Sequence, residues 1–169
     1  MSESNIHYES ITLGEEEQLY SCMKQIDQEV QYMLYSPNER KYDKEQITKM
    51  INDVSRNGLL LAAWDDAKIV GYILVQVSSL KKTKHIGYVV LGVLSKYSHK
   101  GIGTRLIDKA LSWAKENTLH RVELSVVSEN IPAVKLYKKM GFICEGIRKD
   151  SILLDGKFLD EYYMRKIIK

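Results

Sequence analysis

Prolines and cysteines are scarce in this 169-residue chain, with two of each: Pro37 and Pro132, Cys22 and Cys144. So few prolines, and no Pro/Gly/Ser-rich tract, leave nothing to mark a linker, so a single domain over residues 1–169 is the expectation. A chain of this size can bury about two thirds of its unfolded surface, enough for a substantial core. The cysteines lie far apart without C-x-x-C spacing, which excludes a disulfide framework and a zinc ribbon; no metal site is expected. No run approaches the roughly 18 apolar residues of a membrane span, so no membrane partner is expected. Charge of one sign is lacking too. The net charge of +3, with 28% charged residues, forms no basic stripe of the kind nucleic acid requires. The amino terminus Met1-Ser2-Glu3-Ser4-Asn5 is polar, with an acid where a secretory signal has basic residues, and points to a cytoplasmic protein.

What is present is periodic. A strand near Ile6 to Thr12 precedes helical patterns over Gly14 to Gln28 and Lys44 to Val54, the second with Ile47, Met50, Ile51 and Val54 at three-to-four spacing. Leu59 to Trp64, Ile69 to Val77 and His85 to Leu94 are β-branched and apolar and read as three consecutive antiparallel strands. Leu106, Ile107, Ala110, Leu111 and Ala114 trace one face of a helix ending near Asn117. Val122, Leu124 and Val126 alternate with Glu123 and Ser125 as a half-buried strand. Asn130 opens a short helix with Ala133, Leu136, Tyr137 and Met140 on its apolar face, and Gly141 closes it. Phe142 to Ile147 and Tyr162 to Ile168 read as strands, with Ser151 to Leu154 and the turn pair Asp155-Gly156 between them. This order predicts a mixed α/β (α+β) sheet flanked by helices.

The stretch Ser98-His99-Lys100-Gly101-Ile102-Gly103-Thr104 lies between a strand and a helix. At such a junction several amides point outward without acceptors and the helix dipole adds partial positive charge, so anions bind there. Lys96 and Lys100 add charge at the rim. An ordinary strand-to-helix turn explains the two glycines equally well at this point. A P-loop is excluded, because Gly103 is followed by Thr104-Arg105 and no glycine lies at the upstream spacing. A dinucleotide fingerprint is excluded as well, since Leu106 occupies the third glycine position.

Val93 to Leu106, VLSKYSHKGIGTRL, resembles the core motif of the GNAT superfamily of acyl-CoA-dependent N-acetyltransferases, whose loop reads Q/R-x-x-G-x-G/A. Asn130 to Phe142 independently resembles the family's N-x-x-A-x-x-L-Y-x-K-x-G-F segment at every defined position. The resemblance runs from about Leu59 to the C-terminus and implies the GNAT fold, with a central, mostly antiparallel sheet, and acetyl-CoA as co-substrate. It implies that Val93, Leu94 and Ser95 face the pantetheine arm and that the amides of Lys100, Gly101, Ile102, Gly103 and Thr104 hold the pyrophosphate. It carries Asn130, Ala133 and Tyr137 to the cofactor side of the short helix. One departure stands out: Ser98 replaces the usual Gln or Arg, which removes a donor and leaves the main-chain cradle.

Acetyl transfer from a thioester to an amine needs a neutral amine, a polarised carbonyl and a proton for the departing thiolate. The resemblance gives the last role to Tyr137, a phenol whose ordinary pKa of about 10 suits a thiol leaving group. Tyr137 also lies on an apolar helix face, where filling the core is the competing explanation, and capping alone would account for Asn130. From His85 through Ser95 there is no carboxylate, so the family's usual strand glutamate is missing; His85, Tyr88 or relayed water are the candidates for the base. The resemblance assigns acceptor specificity to Glu29 to Arg40 and Ser151 to Tyr163, where Glu29, Glu39, Asp155, Asp160 and Glu161 would attract a cation and Tyr32, Tyr35, Tyr162 and Tyr163 would wall a site. The resemblance of Gly141 to Met164 spans acetylation of small amines, amino acids, antibiotics and protein N-termini. Direct transfer in a ternary complex is expected, because Cys144 has no base beside it. A binding-only acyl-CoA sensor is the alternative. C-terminal edge strands leave a homodimer open.

Overall fold

In the computed structural model, which describes residues 5–169, the elements run β1 (Ile6–Ser10), α1 (Glu16–Glu29), α2 (Lys44–Asn57), β2 (Gly58–Asp65), β3 (Lys68–Val77), β4 (Ile86–Val93), a 3-10 turn Ser95–Tyr97, α3 (Ile102–Glu116), β5 (Arg121–Val127), α4 (Ile131–Lys139), β6 (Ile143–Leu154) and β7 (Lys157–Ile167). The polar stretch before Asn5 lies outside the described residues. The strands form one sheet in the order β1-β2-β3-β4-β5-β7-β6. Neighbours are antiparallel except β4 and β5, so the sheet is mostly antiparallel and flanked by helices, as the sequence pattern predicts.

Helices cover both faces of the central strands. A Cβ on Gly92 would strike Ile26 of α1, whereas one on Gly71 would approach Ile102 of α3. Gly92 pairs with Tyr72, the residue after Gly71, and successive strand residues face opposite sides. The two helices therefore lie on opposite faces. Burial on both faces explains why Leu60 to Trp64 and Ile69 to Val75 are almost continuously apolar and buried. Ile47, Ile51 and Val54 seat α2 on the α1 side, and Asp43 caps it by accepting from the Gln46 amide at 3.1 Å. Leu106, Ile107, Ala110 and Ala114 seat α3; each fully buried leucine or isoleucine contributes about 1.5–3 kcal/mol.

The last two strands differ from the sequence expectation. Ser151 to Leu154 belongs to the same strand as Ile143, and β6 and β7 make one long hairpin. Register shifts between Cys144 and Gly146 and between Arg148 and Ile152 absorb the polar Arg148-Lys149-Asp150 interruption. Asp155 and Gly156, both left-handed at φ 49° and 77°, make the tight turn. Phe142 is not a strand residue; it lies buried just past α4, after Gly141 at φ 90°. There the Gly141 amide donates to Lys138 and the Phe142 amide to Tyr137, a left-handed helix close.

Candidate functional site

The parallel pair β4 and β5 is joined only at Ile86/Arg121, Gly87/Val122 and Tyr88/Glu123. Beyond Tyr88 the strands diverge. The His85 carbonyl accepts from the Arg121 amide and the Leu94 amide donates to Val70 of β3. Strand alternation therefore turns the main-chain groups of Leu91 and Val93 toward the widening gap. Of the three predicted pantetheine positions, only Val93 keeps its main chain on that side. Leu94 is spent on β3, and the Ser95 amide donates to the Glu29 carboxylate at 2.9 Å.

The gap leads into the glycine loop. Gly101 is left-handed at φ 82° and is the N-cap of α3, with no side chain capping it. The first helical bond runs from the Arg105 amide to the Gly101 carbonyl, so the amides of His99 to Thr104 bond no acceptor among the described residues. A Cβ on Gly101 would meet nothing within 4 Å, which leaves open space above the loop. Gly103 serves packing, since a Cβ there would lie 3.2 Å from Leu136 of α4. Lys100 is exposed, its Nζ 5.5 Å from the Tyr97 ring; Ile102 is buried as the first anchor of α3 and Thr104 is half-buried in its first turn. This row of free amides, the room at Gly101 and the gap beside Val93 together fit an extended ligand with a pyrophosphate.

Asn130, Ala133 and Tyr137 follow one another along one face of α4. Asn130 makes no side-chain capping bond, so capping does not account for it. Tyr137 is 7% exposed and packs edge-on to Phe142 at 5.8 Å. Burial, reinforced by the nearby Tyr88 phenol, pushes its pKa above the ordinary tyrosine value. Such a phenol stays protonated at neutral pH, so it is not a base.

Two contacts join residues that the sequence reading did not pair, one of them through Tyr88, a candidate for the base. The Tyr88 hydroxyl meets the Ser125 hydroxyl at 2.7 Å across the start of the gap. The Asp27 carboxylate, 2% exposed, takes both Nε and an Nη of Arg40, which ties the α1–α2 connection to α1. Arg40 also lies 4.2 Å over the Tyr35 ring. No local pattern signals either contact.

The structure does not bring His85 to the site. It precedes β4 at the end away from the loop, its ring 6.3 Å from His120. Of the predicted acceptor acids, Glu29 holds Ser95, Glu39 accepts from the Ser36 amide at 2.8 Å, Asp160 binds Lys149 and the Asp150 amide, and Asp155 forms the hairpin turn. Glu161 pairs with Arg148 at 3.5 Å, and Arg148 in turn lies 5.7 Å over the Tyr163 ring. Tyr162 is half-buried beside it on β7, and Tyr32 lies in the α1–α2 connection. Among the described residues no three His, Cys, Asp or Glu side chains cluster as metal ligands.

Residues 22–142 match the Acetyltransferase (GNAT) family. The chain belongs to it. It is similar to the L-amino acid N-acetyltransferase AaaT of Escherichia coli K12, with 32% identity over 109 residues, 63% of this chain and 67% of that relative. The GNAT acetyltransferase of Streptococcus pneumoniae superposes with a TM-score of 0.92 at 26% identity, over 97% of this chain and 100% of that one. The Salmonella typhimurium yncA structure, a putative acetyltransferase with its cofactor acetyl-CoA, shares the fold at a TM-score of 0.86 and 15% identity, over 98% and 95% of the two chains. The protein is an acetyl-CoA-dependent GNAT N-acetyltransferase.

Proposed function

We propose that this GNAT enzyme, a single domain, acetylates an α-amino group, that of a free amino acid or a peptide N-terminus, by direct transfer in a ternary complex. The observation that carries the reading is the row of free amides from His99 to Thr104 at the mouth of the β4/β5 gap, with Tyr137 beside that gap. The acceptor class rests on resemblance to the E. coli L-amino acid N-acetyltransferase.

Acetyl-CoA supplies an activated acyl group as a thioester. The amides of Lys100, Gly101, Ile102, Gly103 and Thr104 hold its pyrophosphate, the main chain of Val93 aligns the pantetheine arm, and Leu94 and Ser95 shape that wall. Asn130 and Ala133 face the arm from α4. As the amine nitrogen bonds the acyl carbon and the carbon–sulfur bond breaks, the Tyr137 hydroxyl gives its proton to the departing thiolate. The surplus proton of the amine leaves to water, since β4 offers no carboxylate, and a proton from water restores the Tyr137 phenol. The α1–α2 connection and the β6–β7 hairpin wall the acceptor.

Among the described residues no helix is long and apolar enough to cross a membrane. A cytoplasmic location follows from dependence on a cytoplasmic co-substrate. The free β6 edge, with Ile143 and Ile147 more than half exposed, favours a homodimer.

The test is a screen of free L-amino acids, amino-acid amides and short peptides, read by thiol release from acetyl-CoA. Turnover of at least one α-amine that is lost in Tyr137→Phe is expected. Acetylation of side-chain amines alone would overturn the acceptor class.

A further inference from the structure

The glycine loop is held from behind by two carboxylates. Glu29, in the last turn of α1, accepts from the Ser95 amide at 2.9 Å and from the Gln25 side-chain amide at 2.7 Å. Asp65, the last residue of β2, accepts from the Tyr97 hydroxyl at 2.6 Å. The two acids thus grip both ends of the Ser95–Tyr97 turn. The turn is also closed on itself, because the Tyr97 amide donates to Leu94 and the Ser98 amide and hydroxyl both donate to the Ser95 carbonyl. Immediately after it the chain passes through left-handed His99, at φ 58°, into the row of free amides.

These acids are oddly placed for electrostatics alone. A carboxylate in the last turn of a helix opposes the helix dipole. Acids beside a site for an anion also repel it. Partial burial favours the neutral acid, yet the Ser95 and Gln25 hydrogen bonds hold the Glu29 carboxyl below its usual range. What both acids provide is direction: each fixes one donor of the turn, and with it the orientation in which the following amides leave the turn.

We propose that Glu29 and Asp65 are positioning residues that brace the Ser95–Tyr97 turn and so preset the His99–Thr104 amides for the pyrophosphate of coenzyme A. This rests on the reading of those amides given above. Pre-set donors lose less freedom on binding, so bracing tightens the ligand without touching the acetyl group. An electrostatic role predicts the opposite sign, because removing either negative charge would tighten binding.

The experiment is calorimetric titration with coenzyme A, alongside acetyl-CoA kinetics, for wild type, Glu29→Ala, Glu29→Gln and Tyr97→Phe. Glu29→Ala and Tyr97→Phe are each expected to raise the coenzyme A Kd and the acetyl-CoA KM about 5- to 10-fold, the loss of one charged hydrogen bond, with kcat within about twofold. Glu29→Gln keeps an acceptor for the Ser95 amide and is expected to recover to within about twofold of wild type. Glu29 is exposed, so its variants remain readable even where Tyr97→Phe folds poorly. Unchanged or tighter binding in Glu29→Ala overturns the brace while leaving the enzyme's function standing. A wild-type protein that ignores coenzyme A overturns both.

Discussion

The hydroxyls of Tyr88 and Ser125 meet at 2.7 Å, joining β4 to β5 where their main-chain pairing stops. The bond replaces backbone hydrogen bonds that the divergence forfeits, and both residues are half-buried. Tyr88→Phe and Ser125→Ala are each expected to cost about 0.5–1.5 kcal/mol in urea unfolding, with the double variant costing less than their sum. Strict additivity would show that the two hydroxyls do not cooperate.

Tyr137→Phe keeps the ring packed on Phe142 and removes only the hydroxyl. The expected loss in kcat is about 10²-fold or more, the usual worth of a positioned acid, with coenzyme A affinity little changed. Because burial raises its pKa, the phenol remains protonated beyond its ordinary value of about 10. The rate is therefore expected to climb with pH as the amine deprotonates, without an alkaline fall before about pH 10. A descending limb near neutral pH that disappears in the variant would contradict the assignment.

The parts legible in the sequence are those set by local backbone chemistry. Gly101 demands a left-handed cap, Gly141 closes α4, and Asn130 to Phe142 carries its own helix and stop, so loop and helix are visible as short patterns. The contacts that orient them join distant positions: Glu29 to Ser95 across 66 residues, Tyr97 to Asp65 across 32, Tyr88 to Ser125 across 37. Alternation reveals which face a strand residue takes and says little about its partner. His85 shows the same limit, since it borders the right strand at the wrong end. In β6 the charges of Arg148, Lys149 and Asp150 imitate a loop, because an edge strand tolerates polar side chains on both faces.

Asp27 and Arg40 supply a stability test. Asp27 is 2% exposed and its carboxylate is bonded to the Arg40 guanidinium through two nitrogens. Arg40→Ala leaves that buried charge unpaired, for which about 3–5 kcal/mol is the expected cost in denaturant unfolding. Asp27→Asn with Arg40→Ala together should cost less than Arg40→Ala alone, because the orphaned charge is then gone. A loss under about 1 kcal/mol for Arg40→Ala would mean that water reaches Asp27 in the folded state.

The two cysteines separate direct transfer from a route through an acetyl-cysteine. Cys22 is buried on the inner face of α1, and burial pushes its thiol up to about 12; Cys144 is exposed on the edge strand β6. Only thiolate attacks an alkylating reagent, so at pH 8 native protein is expected to lose one thiol quickly and the second only on unfolding. Mass analysis should place the first label on Cys144. The labelled enzyme is then expected to keep its kcat, since Tyr137 and the free amides belong to other elements. Loss of turnover on labelling, matched by Cys144→Ala, would instead make the thiol a participant and replace direct transfer with a two-step path.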